Sequence, residues 1–196
     1  MDGPSELPLI VAHLKLRAAG LWGLVVFRPC FDVILACGST DDCRKIDSCL
    51  GTLRSLVDPT APRVVSPDSV CPAIARSASF CEAVSGSPGS VGRAGWALYH
   101  YFTHLDLLAA GLDGPTFPAT EPVWAGFARA LRLGVKLTAS DESLATQQAI
   151  ELATVLLAAT GERNDSDVLG DPISNELLKR VTDFDLNRVN RAVSQS

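Results

Sequence analysis

His100 and His104 stand four residues apart in a stretch of helical periodicity, so both imidazoles can leave one helix face. That spacing suits a pair of metal ligands, because neutral imidazole nitrogens bind zinc and related ions. A metal site needs further donors. Asp106 is nearest in the chain, but it lies about 160° from His104 around a helix. The histidines therefore read as polar residues at a helix surface or contact, and no metal or other cofactor is expected.

The second set is the six cysteines, Cys30, Cys37, Cys43, Cys49, Cys71 and Cys81. None of them forms a C-x-x-C pair, and the equal gaps from Cys37 to Cys43 to Cys49 turn successive thiols onto different helix faces. An even count is compatible with a disulfide framework in a secreted chain. The segment Met1-Asp2-Gly3-Pro4-Ser5-Glu6 has no basic region and reads as a poor secretory signal. Reduced thiols in an apolar interior are expected instead.

No other pattern carries chemistry. There is no G-x-S-x-G nucleophile elbow, no phosphate loop and no G-x-G-x-x-G. Gly86, Gly89 and Gly92 follow no strand and read as a linker. Asp41/Asp42 and Asp141/Glu142 fall where helices should start, so capping explains them better than acid–base work. The sequon Asn164-Asp165-Ser166 has no consequence in a cytosolic chain. Near the end, Arg180, Arg188 and Arg191 alternate with Asp183 and Asp185. They could meet RNA phosphates or a neighbouring subunit, although a solvated face with ion pairs is the plainer reading.

The chain that must position these residues has 196 amino acids, 47% of them hydrophobic and 20% charged. That supports one folded domain over 1–196 with a sizeable core. The net charge of −5 argues against nonspecific nucleic-acid binding. The most apolar run, Ala18 to Phe27, is too short to span a bilayer. A soluble chain in the cytoplasm or another intracellular compartment, with no membrane contact, is expected.

Helical periodicity dominates. Ser5 is positioned to cap a first helix carrying Leu7, Ile10, Val11 and Leu14, with Gly20 as its stop. Residues 21–37 are ambiguous between helix and a short β-hairpin near 24–36, and helix is favoured because nothing else extends a sheet. Ser39-Thr40-Asp41-Asp42 and Ser66-Pro67-Asp68 open the next two helices. Residues 85–92 read as a flexible break. Residues 92–110 form a helix apolar nearly all round, with Leu98, Tyr101, Phe102, Leu105 and Leu108 on one face and Trp96, His100, His104 and Leu107 on the other. Such a helix is central in a bundle or covered by a partner. Further helices are expected from Thr120-Glu121-Pro122, from Thr138-Ala139-Ser140-Asp141-Glu142 to Gly161, and from Asp171-Pro172, with a loop over 162–170 and a frayed tail over 194–196.

Two loose resemblances accompany this reading. Leu178-Lys179-Arg180-Val181-Thr182-Asp183 and the arginines after it resemble the Arg/Asp-rich helix of helical-bundle coat proteins from rod-shaped or filamentous viruses. That resemblance implies self-assembly and RNA contact. Leu53-Arg54-Ser55-Leu56-Val57-Asp58, Gly92-Arg93 and Trp124 are similar in order to short signatures of the apoptosis-regulator bundle. The asparagine-tryptophan that precedes Gly-Arg in that family is absent here. This second resemblance implies a hydrophobic groove that accepts a partner helix.

The expected protein is thus an all-α, single-domain bundle of about seven helices. It acts by protein–protein contact or self-assembly rather than by catalysis, as a coat-like subunit touching RNA or as a groove-bearing regulator. Trp96, Tyr99, His100, His104 and Leu107 are the expected contact residues, and Arg180, Arg188 and Arg191 the expected RNA contacts.

Overall fold

The ambiguous stretch over 21–37 is helical, and it is divided at Phe27. In the computed structural model, which describes residues 10–60, 67–111, 139–164 and 166–182, the chain is an all-α bundle. Seven helices lie among the described residues: α1 (Leu16–Val26), α2 (Arg28–Cys37), α3 (Thr40–Val57), α4 (Pro67–Ser85), α5 (Gly89–Ala109), α6 (Ala139–Thr160) and α7 (Asn175–Thr182). No hairpin forms near 24–36. Pro29 cannot donate a backbone hydrogen bond but is tolerated in a first turn, so it starts α2 rather than continuing α1. The two axes diverge by 56°.

The most completely buried helix is α1; the 92–110 segment, read from the sequence as central or covered by a partner, buries one face and leaves the other half-buried. Helix α1 has nine of its eleven residues buried. It packs on α2, α3, α5 and α6. Gly20 does not end a helix but lies inside this one, where α1 meets Leu56 and Val57 at the end of α3. The chain instead breaks at Lys15, just before α1. No described helix is by itself long and apolar enough to cross a membrane.

The aromatic centre fixes how α1 meets α5. Tyr101 stacks on Phe27 with centroids 4.8 Å apart, and Trp22 meets Phe27 edge-on at 5.9 Å. Each polar tip has a partner, as burial requires. The Tyr101 hydroxyl donates to the Ala19 carbonyl at 3.0 Å, and the Trp22 indole N–H donates to the Ala149 carbonyl at 3.0 Å.

Local signals start and stop the helices. Ser39 caps α3 in a reciprocal box: its hydroxyl accepts from the Asp42 amide at 3.1 Å, and Asp42 accepts from the Ser39 amide at 3.0 Å. The break expected over 85–92 is shorter, because α5 already starts at Gly89. Gly92 lies within the helix and faces the Ser87 carbonyl so closely that a Cβ would overlap it. The α4–α5 turn is therefore a tight helical hairpin. The Ser87 hydroxyl donates to Asp42 at 3.2 Å, tying this turn to the start of α3.

The loop after α6 begins at Gly161, whose φ of +73° suits a residue without a side chain. It clasps the break before α1. The Arg163 amide donates to the His13 carbonyl, and the Leu16 and Arg17 amides donate to Val168 and Leu169. Lys15 pairs with Asp167 at 2.5 Å. The last helix begins later than Asp171-Pro172 suggests, because Ser174 supplies the cap by accepting from the Leu177 amide at 3.1 Å. Ile173, Leu177 and Val181 face the core as expected. The expected Ser5 cap, the helix from Thr120 with its Trp124, Phe184 and the tail over 194–196 lie outside the described residues.

Candidate functional site

The face of α5 turned away from the core carries the residues singled out by the sequence. Helical spacing puts Arg93, Trp96, Tyr99, His100, Thr103 and Leu107 on one stripe. Arg93 is exposed, and the others are half-buried. The opposite side, with Leu98, Tyr101, Phe102, Leu105 and Leu108, is buried. The stripe is ordered by ring contacts. The His100 imidazole stands edge-on to the Trp96 indole at 3.8 Å between centroids and to the Tyr99 ring at 5.2 Å. The Thr103 hydroxyl turns back to the Tyr99 carbonyl at 2.8 Å, within the helix.

The structure divides the five expected contact residues. Trp96, Tyr99, His100 and Leu107 share the half-buried stripe. His104 does not: it is only 1% exposed and belongs to the interior side of α5. One residue on a helix turns 100°, so four residues leave a 40° offset, and here that offset moves His104 across the edge of the buried face. Asp106, next to Leu107, has its carboxyl pushed above the ordinary value by burial. Among the described residues, no three His, Cys, Asp or Glu side chains gather closely enough to hold a metal ion.

Of the expected RNA contacts, Arg180 is exposed on α7 beside exposed Lys179. Arg188 and Arg191 lie outside the described residues.

A groove of about 280 Å³ runs between the second half of α3 and the first half of α4. Leu56, Val70 and Ile74 supply its apolar lining, and Thr52, Ser55 and Ser69 its polar edge. Its volume is at the small end for a ligand site and accepts one or two side chains rather than a whole helix.

Two features have no local sequence signal. Arg17 is 2% exposed at the start of α1. Burial lowers its pKa, and the nearby carboxylates of Asp171 and Asp58 oppose that effect. The second is a thiol pair: Cys49 on α3 and Cys81 on α4, both fully buried, bring their sulfurs to 3.8 Å. Residues thirty-two positions apart meet only because α3 and α4 pack antiparallel. Periodicity within each helix announces that both thiols face inward, but not that they face each other. No family model, curated protein or solved structure matches this chain.

Proposed function

We propose that this protein is non-enzymatic and works by protein–protein contact, with other copies of itself among its partners. The observation that supports this reading is the Trp96, Tyr99 and His100 ring cluster, partly exposed on the outer stripe of α5. Large amphipathic rings held in a fixed arrangement are the usual anchors of binding energy, since they bring much contact area at small entropic cost. Leu107 extends the apolar part of the stripe, and Arg93 gives it a charged end. In the coat-like version of this reading, Arg180, Arg188 and Arg191 contact RNA phosphates from the last helix.

The test is native mass by light scattering for the wild-type chain and for Trp96→Ala, each with and without added RNA. Self-association predicts a wild-type mass above that of the 20.7 kDa monomer and a lower mass for the variant. A further rise with RNA supports the coat-like version. A wild-type monomer at all concentrations, indifferent to RNA, rejects self-assembly. The regulator reading is then the one left, with one or two side chains of a partner helix seated in the small groove between α3 and α4, and binding of an amphipathic helical peptide that Val70→Glu abolishes would support it.

A further inference from the structure

The α3–α4 seam holds two thiols that no other part of the proposed function uses. Cys49 and Cys81 are fully buried, with sulfurs 3.8 Å apart. The Cys49 sulfur also lies 3.6 Å from the Ser77 carbonyl. With the Cys49 thiol donating to the Ser77 carbonyl, Cys81 is the thiol free to donate to the Cys49 sulfur. The Cys49 sulfur thus receives a hydrogen bond that favours its thiolate, whereas burial holds the Cys81 thiol well above its ordinary value. One turn further along, the Ser77 hydroxyl reaches Thr52 at 3.2 Å. Beyond that, Thr52, Leu56, Ala73 and Ile74 line the groove. The groove therefore opens along the same seam that contains the thiols.

We propose that Cys49 and Cys81 form a redox couple, closing to an intramolecular disulfide that staples α3 to α4 when a peroxide is present. A disulfide bond is about 2.05 Å long, so the sulfurs, now 3.8 Å apart, must move closer for it to form. Cys49 is the attacking thiol. Its thiolate displaces hydroxide from hydrogen peroxide and becomes a sulfenic acid, the hydroxide leaving as water with the proton released by the thiol. The Cys81 sulfur then attacks the Cys49 sulfur, expelling a second water as the disulfide forms. Two thiols and one peroxide give one disulfide and two waters. Hydrogen peroxide is close to water in size, so a small local opening of the α3–α4 seam admits it to the two buried thiols. Of the other cysteines, Cys37 is exposed, Cys43 and Cys71 are half-buried, and Cys30 is buried on α2, near enough to Cys81 to act on it electrostatically. This inference does not depend on the α5 contact face.

The test uses the full chain, folded by circular dichroism before and after brief exposure to hydrogen peroxide. Remaining thiols are alkylated after denaturation, and the digest is mapped by mass spectrometry. A linked peptide pair joining Cys49 to Cys81, reversed by dithiothreitol, is the expected result. The oxidised protein should melt about 5–10 °C higher, because the closed loop restricts the unfolded chain. Cys49→Ala and Cys81→Ala should each abolish the link, and the mapping of the wild-type chain decides the matter if either variant fails to fold. Recovery of both residues as free thiols, or a link to any other cysteine, overturns the proposal.

Discussion

Tyr101 lies directly over the bare backbone of Gly23: a Cβ added to that glycine would overlap the Tyr101 phenol. From there the hydroxyl reaches the Ala19 carbonyl one turn earlier on α1. The contact joins the most buried helix to the helix that carries the outer aromatic stripe. It sets both the closeness and the rotation of α5, and so decides which of its residues face outward.

Gly23→Ala is therefore expected to destabilise the protein by about 3 kcal/mol, because the ring has no free space to move into. Tyr101→Phe keeps the packing and removes one hydrogen bond, a loss of about 1 kcal/mol. Urea unfolding of the two variants checks the order. Equal effects, or a tolerated alanine, would show that α1 and α5 are not held at this point.

Trp96→Ala and Phe102→Ala separate surface from core on one helix. Phe102 is fully buried, so its truncation is expected to cost about 3–5 kcal/mol. Trp96 is half-buried, and its loss should cost under about 2 kcal/mol while lowering the native mass. Thermal melts and light scattering on the same samples measure both. A Trp96 variant as unstable as the Phe102 variant would place the indole in the core.

Acid should loosen the α3 start. The Ser39 hydroxyl bonds, the Ser39 amide bond, the Ser87 hydroxyl and Lys45 hold the Asp42 carboxyl below its ordinary value, against the opposing effect of burial. An unfolded aspartate titrates near pH ~3.9. Since the folded value is the lower one, the stabilisation is complete above the unfolded value and is lost as pH falls through the folded value. The wild-type chain should lose stability below about pH 4, and Asp42→Asn should show a shallower loss over that window. At neutral pH the variant should be weaker by about 1 kcal/mol, the usual worth of a cap. Unfolding curves between neutral and strongly acidic pH test this, and identical slopes would remove Asp42 from the account.

The clasp before α1 is expected to be local. Lys15 is mostly covered, but Asp167 is 45% exposed, so solvent screens their pair. Asp167→Ala should cost under about 1 kcal/mol globally. It should speed amide exchange at Leu16, Arg17 and Arg163, whose donors meet across this contact. Hydrogen exchange resolved by residue is the measurement, and unchanged rates at these three amides would contradict the clasp.

Reactivity toward a bulky alkylating reagent should follow burial. Burial raises the Cys30 thiol far above its ordinary value, and Cys30, Cys49 and Cys81 have no exposed surface. A bulky alkylating reagent should modify Cys37 first and Cys43 and Cys71 more slowly. The other three should react only on unfolding. Early labelling of Cys30 would reject its place in the core.

Features that depend on near neighbours along the chain were legible in its local pattern. Ser39 and Asp42 spell their capping box within four residues, and Gly161 marks a helix end because its backbone angle favours a residue without a side chain. Helical spacing put Leu98, Tyr101, Phe102 and Leu105 on one face of α5 and Trp96, His100 and Leu107 on the other, although both faces read as largely apolar. Tertiary structure alone decided which helix is innermost, since α1 and α5 are both apolar enough and only packing chooses between them. It also decided that Gly20 continues a helix, because the close approach of α3 rewards a missing side chain more than intrinsic propensity penalises it. The move of His104 into the interior, the burial of Arg17 beside Asp58 and Asp171, and the meeting of Cys49 with Cys81 belong to the same class. Each depends on atoms far apart in the chain, and no local periodicity encodes a distance between helices.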